Sequence, residues 1–182
     1  MTDKAERRTS VPPSTKSVRF VELSSTAMNA LLKDDLAQAG AEAGVALPEF
    51  FLTDRAKWVW RYRVGQLDAD PGCAGWLTQA VVAEPEGAVV GYAGFHGPPD
   101  DAGMVELGYT VVPAHRRQGY ARAILTALLE RAAAEARVRI VRATISPDNT
   151  ASLATIAGFG FVEVGEQWDD EDGLELIFEV PA

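Results

Sequence analysis

The amino-acid sequence predicts a mixed α+β domain of about seven strands and about four helices. Three observations carry this. From Met104 to Val111 the chain alternates, with Val105, Leu107, Tyr109 and Val111 on one side and Met104, Glu106, Gly108 and Thr110 on the other. Just after it, Ala121, Ile124, Leu125, Leu128, Leu129 and Ala132 recur at three- and four-residue steps, an apolar helical stripe. Elsewhere the two patterns interleave: strand, two helices, three strands, helix, strand, helix, two strands.

Residues 1–16 are polar, carry Pro12-Pro13 and lack the apolar core of a signal peptide. They are expected to form a flexible segment ahead of a single domain spanning 17–182. Val18 to Leu23 alternates as an opening strand. Thr26 to Ala43 reads as one helix, with Met28, Leu31, Leu32 and Leu36 on one side and Lys33, Asp34 and Asp35 on the other. Pro48 interrupts. A second helix is expected from Asp54 to Val64, capped by Thr53, with Phe51, Trp58, Val59 and Tyr62 as its bulky side. Asp68 to Gly75 is a turn-rich link. Trp76 to Ala83 and Ala88 to Phe95 form a hairpin through Glu84-Pro85-Glu86-Gly87, and His96 to Gly103 is a loop. Arg139 to Ile145 reads as a buried strand. A helix follows from near Asn149 to Ala157, then strands from Phe161 to Trp168 and Leu174 to Val180, joined by an acidic turn at Asp169 to Gly173.

A formal net charge of -9 argues against a nucleic-acid-binding surface and suits cationic or amine partners. No apolar run reaches membrane-spanning length, so no membrane association is expected. The single cysteine, Cys73, has no partner for an internal disulfide, which agrees with a reducing cytoplasm. Cys73 lies in a turn-rich segment with no histidine nearby and is read as passive.

The stretch that concentrates chemistry is Arg116-Arg117-Gln118-Gly119-Tyr120-Ala121. Pro113 ends the preceding strand because it has no N–H to donate. Where strand turns into helix, several backbone amides have no helical partner and the helix dipole favours an anion. Gly119 leaves room for close approach, and Arg116 and Arg117 add positive charge. The loop is therefore a candidate phosphate cradle, against the plainer reading of a basic loop that contains a glycine.

Arg116-x-x-Gly119-x-Ala121, entered from a strand and leaving into an amphipathic helix, resembles the acetyl-CoA pyrophosphate loop of the GNAT N-acetyltransferase superfamily. Glu106-Leu107-Gly108-Tyr109 ahead of it is similar to the branch containing the ribosomal-protein-alanine N-acetyltransferases. The resemblance runs from about Val18 to the C-terminus and is strongest over Gly91 to Phe161. It implies a GNAT fold with a central, mostly antiparallel, twisted sheet. It also implies acetyl-CoA as cofactor and a primary amine as acceptor, on a peptide or protein N-terminus or on a small molecule. The resemblance further implies a monomer or a homodimer.

By the same resemblance, Arg116, Arg117, Gln118, Gly119, Tyr120 and Ala121 would hold the pyrophosphate. Thr110, Val111 and Val112 would pair with the pantetheine arm as an added strand does. Asn149, at the head of Asn149-x-x-Ser152, would contact the cofactor arm. Its place at a helix start equally predicts an N-cap. Phe51, Trp58 and Tyr62, with Phe50, would face the acceptor, or else pack in the core. Glu106 is the candidate general base, on the strand leading into the cleft and among apolar sequence neighbours. His96 is a second candidate near the acceptor. Some relatives carry a tyrosine acid in the last helix. The matching residue here is Ile156, so Ser152 or a water would have to serve. That departure keeps a second reading open, an acyl-CoA-binding sensor without turnover. No metal site is expected.

Overall fold

The computed structural model describes residues 16–171 and 173–182. Apart from Lys16, the N-terminal segment expected over residues 1–16 lies outside them. One sheet of seven strands organises the molecule: β1 (Ser17–Val21), β2 (Gln79–Glu84), β3 (Val89–Phe95), β4 (Met104–Val111), β5 (Ile140–Ile145), β6 (Val162–Asp169) and β7 (Gly173–Pro181). Their order across the sheet is β1-β2-β3-β4-β5-β7-β6. Only β4 and β5 run parallel; every other pair is antiparallel. Among the described residues the α-helices are α1 (Ser25–Leu32), α2 (Leu36–Ala43), α3 (Asp54–Ala69), α4 (Tyr120–Ala133) and α5 (Thr150–Ile156).

The sheet has a core on each face. Val81, Val90, Phe95, Val105 and Leu107 pack with Ile124, Leu125 and Leu128 of α4 and Ile156 of α5. Ala80, Val82 and Tyr92 pack on the other face with Met28 and Leu31 of α1, Phe51, and Trp60 of α3. Alternation along β2 and β3 therefore feeds both layers, which is why these strands read as continuous apolar runs.

Three expectations need correction. The single helix over 26–43 is two helices. The break falls at Asp34, where φ is 62°, and the Asp35 side chain accepts from the Gln38 amide at 2.9 Å to cap α2. Aspartate bonds nearby backbone better than it sustains a helix interior, so Lys33-Asp34-Asp35 terminates rather than decorates. The second helix runs five residues past Val64, to Ala69, and stops before Asp70-Pro71. The turn-rich link after it is a 3-10 segment, Pro71–Trp76, begun by the Asp70 side chain accepting from the Gly72 amide.

Close packing in β3 yields a stability prediction. A Cβ built on Gly94 would lie 2.3 Å from the Leu77 carbonyl oxygen, which belongs to the backbone and cannot swing away. Gly94→Ala is expected to destabilise the protein by about 3 kcal/mol, and calorimetry should show the melting temperature falling by roughly 10 °C. An unchanged melting temperature would mean that β2 and β3 are packed less tightly here than the structure shows.

Candidate active site

The site begins where the sheet comes apart. Strands β4 and β5 pair only from Met104–Ile140 to Glu106–Arg142. Beyond that point β4 stays with β3 as far as Val111, while β5 stays with β7 as far as Ile145. The two halves of the sheet diverge, and a cleft of about 630 Å³ fills the opening. It is lined by α3 from one face of the sheet and α5 from the other, so it crosses the sheet at the split.

Glu106 is the last residue of β4 that pairs with β5 and so stands at the vertex. The Thr144 hydroxyl of β5 donates to its Oε1 at 2.6 Å, and His96 Nδ1 lies 3.5 Å from the same oxygen. Its sequence neighbours Val105 and Leu107 are buried on the opposite face. The apolar setting expected for this carboxylate is thus replaced by a polar one, because strand alternation separates a side chain from its immediate neighbours.

His96 is held by its main chain. Its amide donates to the Glu106 carbonyl at 2.8 Å, and its own carbonyl accepts from Gln66 Nε2 at 2.8 Å and Arg63 Nη1 at 3.3 Å. Arg63 is buried. It also donates to Thr78 Oγ1 at 3.0 Å and Gln66 Oε1 at 2.7 Å, and burial lowers its pKa from the ordinary range. The cleft walls desolvate His96 and hold its pKa below the ordinary 6.5, with Glu106 opposing and Arg63 reinforcing. The ring keeps 46% of its surface, so the shift is moderated by solvent. The sign follows: the neutral form is favoured in the folded state, and the stability tied to it is lost as pH falls below the unfolded value. Histidine NMR titration should place the His96 midpoint below 6.5. A midpoint at or above that value would contradict the desolvated setting.

Helix α3 explains the aromatic stripe. Arg55, Trp58, Val59, Tyr62 and Arg63 recur at helical spacing and line the cleft, while Ala56, Trp60 and Leu67 face the core. Trp58 and Tyr62 stack in parallel at 5.7 Å and are 39% and 54% exposed. Phe51 behaves otherwise. It is fully buried against Trp60 and Tyr92, so it has no surface to offer an acceptor. Its place before the helix, in the 3-10 turn Glu49–Leu52, points it inward. Phe50 stacks on Tyr92 beside it.

The basic loop lies beyond β4. Arg116, Arg117, Gln118 and Gly119 are exposed, and φ is positive at both Arg117 (58°) and Gly119 (91°). Two left-handed residues within three positions turn successive amides to one side, the geometry of a backbone anion nest. Helix α4 starts at Tyr120 without a side-chain cap. Among the described residues the amides of Arg117, Gln118, Tyr120 and Ala121 have no hydrogen-bond partner. Arg116 Nε donates to the Val111 carbonyl at 3.1 Å and Gln118 Nε2 to the Ala114 carbonyl at 2.9 Å, which pins the loop to the strand end. The Tyr120 side chain is buried in the core, so this residue offers the loop only its amide.

The strand end differs from expectation. The Val112 amide donates to the Val90 carbonyl at 2.8 Å, and His96 pairs with Glu106 in the same way. Backbone groups of even-numbered residues therefore face β3, and those of Leu107, Tyr109 and Val111 face the opening. Thr110 and Val112 cannot pair with an added strand, and the Val112 side chain is buried. Thr110 reaches the cleft by its side chain alone.

Asn149 caps α5, accepting from the Ser152 amide at 3.1 Å, and both residues line the cleft with Ile156. From the β6–β7 hairpin come Gln167, Asp169 and Glu175. Cys73 is buried away from the cleft. Thr144, Arg63, Gln66 and Thr78 were not singled out in the sequence. For Thr144 a signal existed, since alternation in Arg139 to Ile145 sets Arg142 and Thr144 opposite the apolar Val141, Ala143 and Ile145. For Arg63 the signal is its place on the Arg55–Trp58–Tyr62 stripe.

A family model described as an acetyltransferase (GNAT) domain matches residues 32–162. The uncharacterized N-acetyltransferase YjdG of Bacillus subtilis (strain 168) is 32% identical over 91 residues, a match spanning 50% of this chain and 54% of that protein. RimJ of Mycobacterium smegmatis, solved in complex with CoA-disulfide, superposes with a TM-score of 0.62 at 20% identity, covering 94% of this chain and 87% of that one. The microcin C7 self-immunity acetyltransferase MccE, solved with acetyl-CoA and AMP, gives a TM-score of 0.62 at 12% identity, covering 95% and 99%. At these identities the two structures demonstrate a shared fold.

Proposed function

Because this chain belongs to the GNAT acetyltransferase family, we propose that it moves an acetyl group from acetyl-CoA to a primary amine by direct attack. The observation that carries the reading is the placement of two features along β4. One carboxylate stands at the vertex of the split sheet, and a nest of outward amides lies at the far end of the same strand.

Acetyl-CoA, when bound, supplies the activated thioester. The loop amides of Arg117 to Ala121 suit its diphosphate, helped by the charges of Arg116 and Arg117. The open-edge backbone of Tyr109, together with the Val111 amide, suits its amide-bearing arm, the Val111 carbonyl being held by Arg116. Glu106 takes the ammonium proton of the acceptor, directly or through water. Thr144 occupies Oε1, which orients the carboxylate and leaves Oε2 for the incoming amine. Ser152, which lines the cleft, would donate a proton where Ile156 cannot. Trp58 and Tyr62 form the acceptor wall, and His96 stands between that wall and Glu106.

The test supplies acetyl-CoA with a panel of peptide and small-molecule amines and measures free thiol. Amine-dependent thiol release supports the reading. Tight CoA binding with no release for any amine would favour a sensor instead. Thr144→Val keeps the shape of the residue and removes one hydrogen bond to a carboxylate, worth about 1.5–3 kcal/mol. It is expected to lower kcat roughly tenfold or more without lowering CoA affinity. An unchanged kcat would show that Thr144 does not orient the base.

A further inference from the structure

We propose that His96 is the exit for the proton that Glu106 collects, a positioning and relay group acting through that carboxylate. The inference rests on the acetyl-transfer reading and goes beyond it. An ammonium acceptor loses two protons when it becomes an amide. The C–N bond forms and the C–S bond breaks. One proton ends on the departing sulfur. The other must leave the cleft, or Glu106 stays protonated and cannot serve the next turnover.

Three features fit His96 to that task. Its Nδ1 lies 3.5 Å from Glu106 Oε1, so a proton taken on Oε2 comes within reach of the ring when the carboxyl group turns over and its two oxygens change places. Its ring is about half exposed to the cleft, so a proton taken at one nitrogen can pass from the other to water. And the chain makes room for it. A Cβ on Gly108 would stand 2.9 Å from Nε2, so the imidazole lies across a position on β4 that only glycine leaves open. Glu106 from β4 and Arg63 from α3 are the charged groups acting on the ring, and desolvation keeps it neutral and ready to accept.

The clamp on His96 uses main-chain atoms only: its amide to Glu106, its carbonyl to Gln66 and Arg63. Removing the ring therefore leaves the backbone anchor in place. A purely structural histidine and a relay histidine then predict different outcomes.

The experiment uses the full chain with an amine found to support thiol release. His96→Gln and His96→Ala are expected to lower kcat roughly tenfold or more, with acetyl-CoA affinity kept within about twofold. Imidazole added to His96→Ala should restore the rate in proportion to its concentration. Gly108→Ala keeps the imidazole but displaces it, and should lower kcat likewise while the melting temperature shows a folded protein. A kcat unchanged in the His96 variants, or a loss that no added small base restores, would overturn the relay. The parent reading fails separately, by absence of amine-dependent thiol release in the unmodified protein, and takes the relay with it.

Discussion

Glu106→Gln is expected to lower kcat by about 10²–10⁴-fold while acetyl-CoA affinity stays within about twofold. The amide of glutamine fills the same space and can still accept from Thr144, which sits 2.6 Å from Oε1 in the native protein. The β4–β5 pairing at Glu106 and Arg142 is made by main-chain atoms and is untouched. What disappears is an anion able to take a proton. Loss should therefore fall on kcat, not on KM for acetyl-CoA, because the loop at Arg117 to Ala121 lies at the far end of β4. Stopped-flow thiol detection, with calorimetric titration of CoA as the control, separates the two. Retention of the native kcat would remove Glu106 from the chemistry. Loss of both constants would instead mean that the substitution disturbed the split in the sheet.

Gly119→Glu is expected to weaken CoA binding by roughly a hundredfold or more. The backbone alone accounts for part: a side chain at φ 91° costs about 1–2 kcal/mol. The rest is charge, since a carboxylate facing a diphosphate adds repulsion of roughly several kcal/mol at close range. Gly119→Ala isolates the first contribution and should weaken binding only about tenfold. Raising the ionic strength should recover part of the Gly119→Glu loss by screening and none of the Gly119→Ala loss. Arg116→Ala adds an informative third case. Its Nε anchors the loop to the Val111 carbonyl as well as carrying charge, so binding should fall and the loop should protect less well against hydrogen exchange. Full-strength CoA binding by Gly119→Glu would place the diphosphate elsewhere in the molecule.

The strands and helices around the site were largely legible. Alternation in β4 and the apolar stripe of α4 are local patterns, and each names its own element. The loop between them was legible too, because a glycine and two arginines between a strand and a helix describe a backbone conformation as well as a charge. What escaped was placement. Phe51 and Trp58 look alike in sequence, yet one is fully buried and the other forms the cleft wall, because Phe51 sits in the 3-10 turn packed on Trp60 and Tyr92 while Trp58 lies on the cleft side of α3. Asp34 and Asp35 read as the polar side of one helix, but the positive φ of Asp34 ends it and the Asp35 side chain caps the next.

From sequence alone came the kind of elements, their order, the cradle-like loop, Glu106 as a carboxylate entering a cleft, and the family resemblance that tied these together. Only the tertiary structure decided which backbone groups face the opening, that Thr144 and His96 meet at Glu106 Oε1, and that Arg63 and Gln66 hold His96 from α3. The reason is distance along the chain. Local periodicity reports what a residue's immediate neighbours demand. The contacts at Glu106 join residues 10 and 38 positions apart in sequence. The His96 contact exists because β3 pairs with β4, and the Thr144 contact because β4 and β5 pair for three residues and then separate.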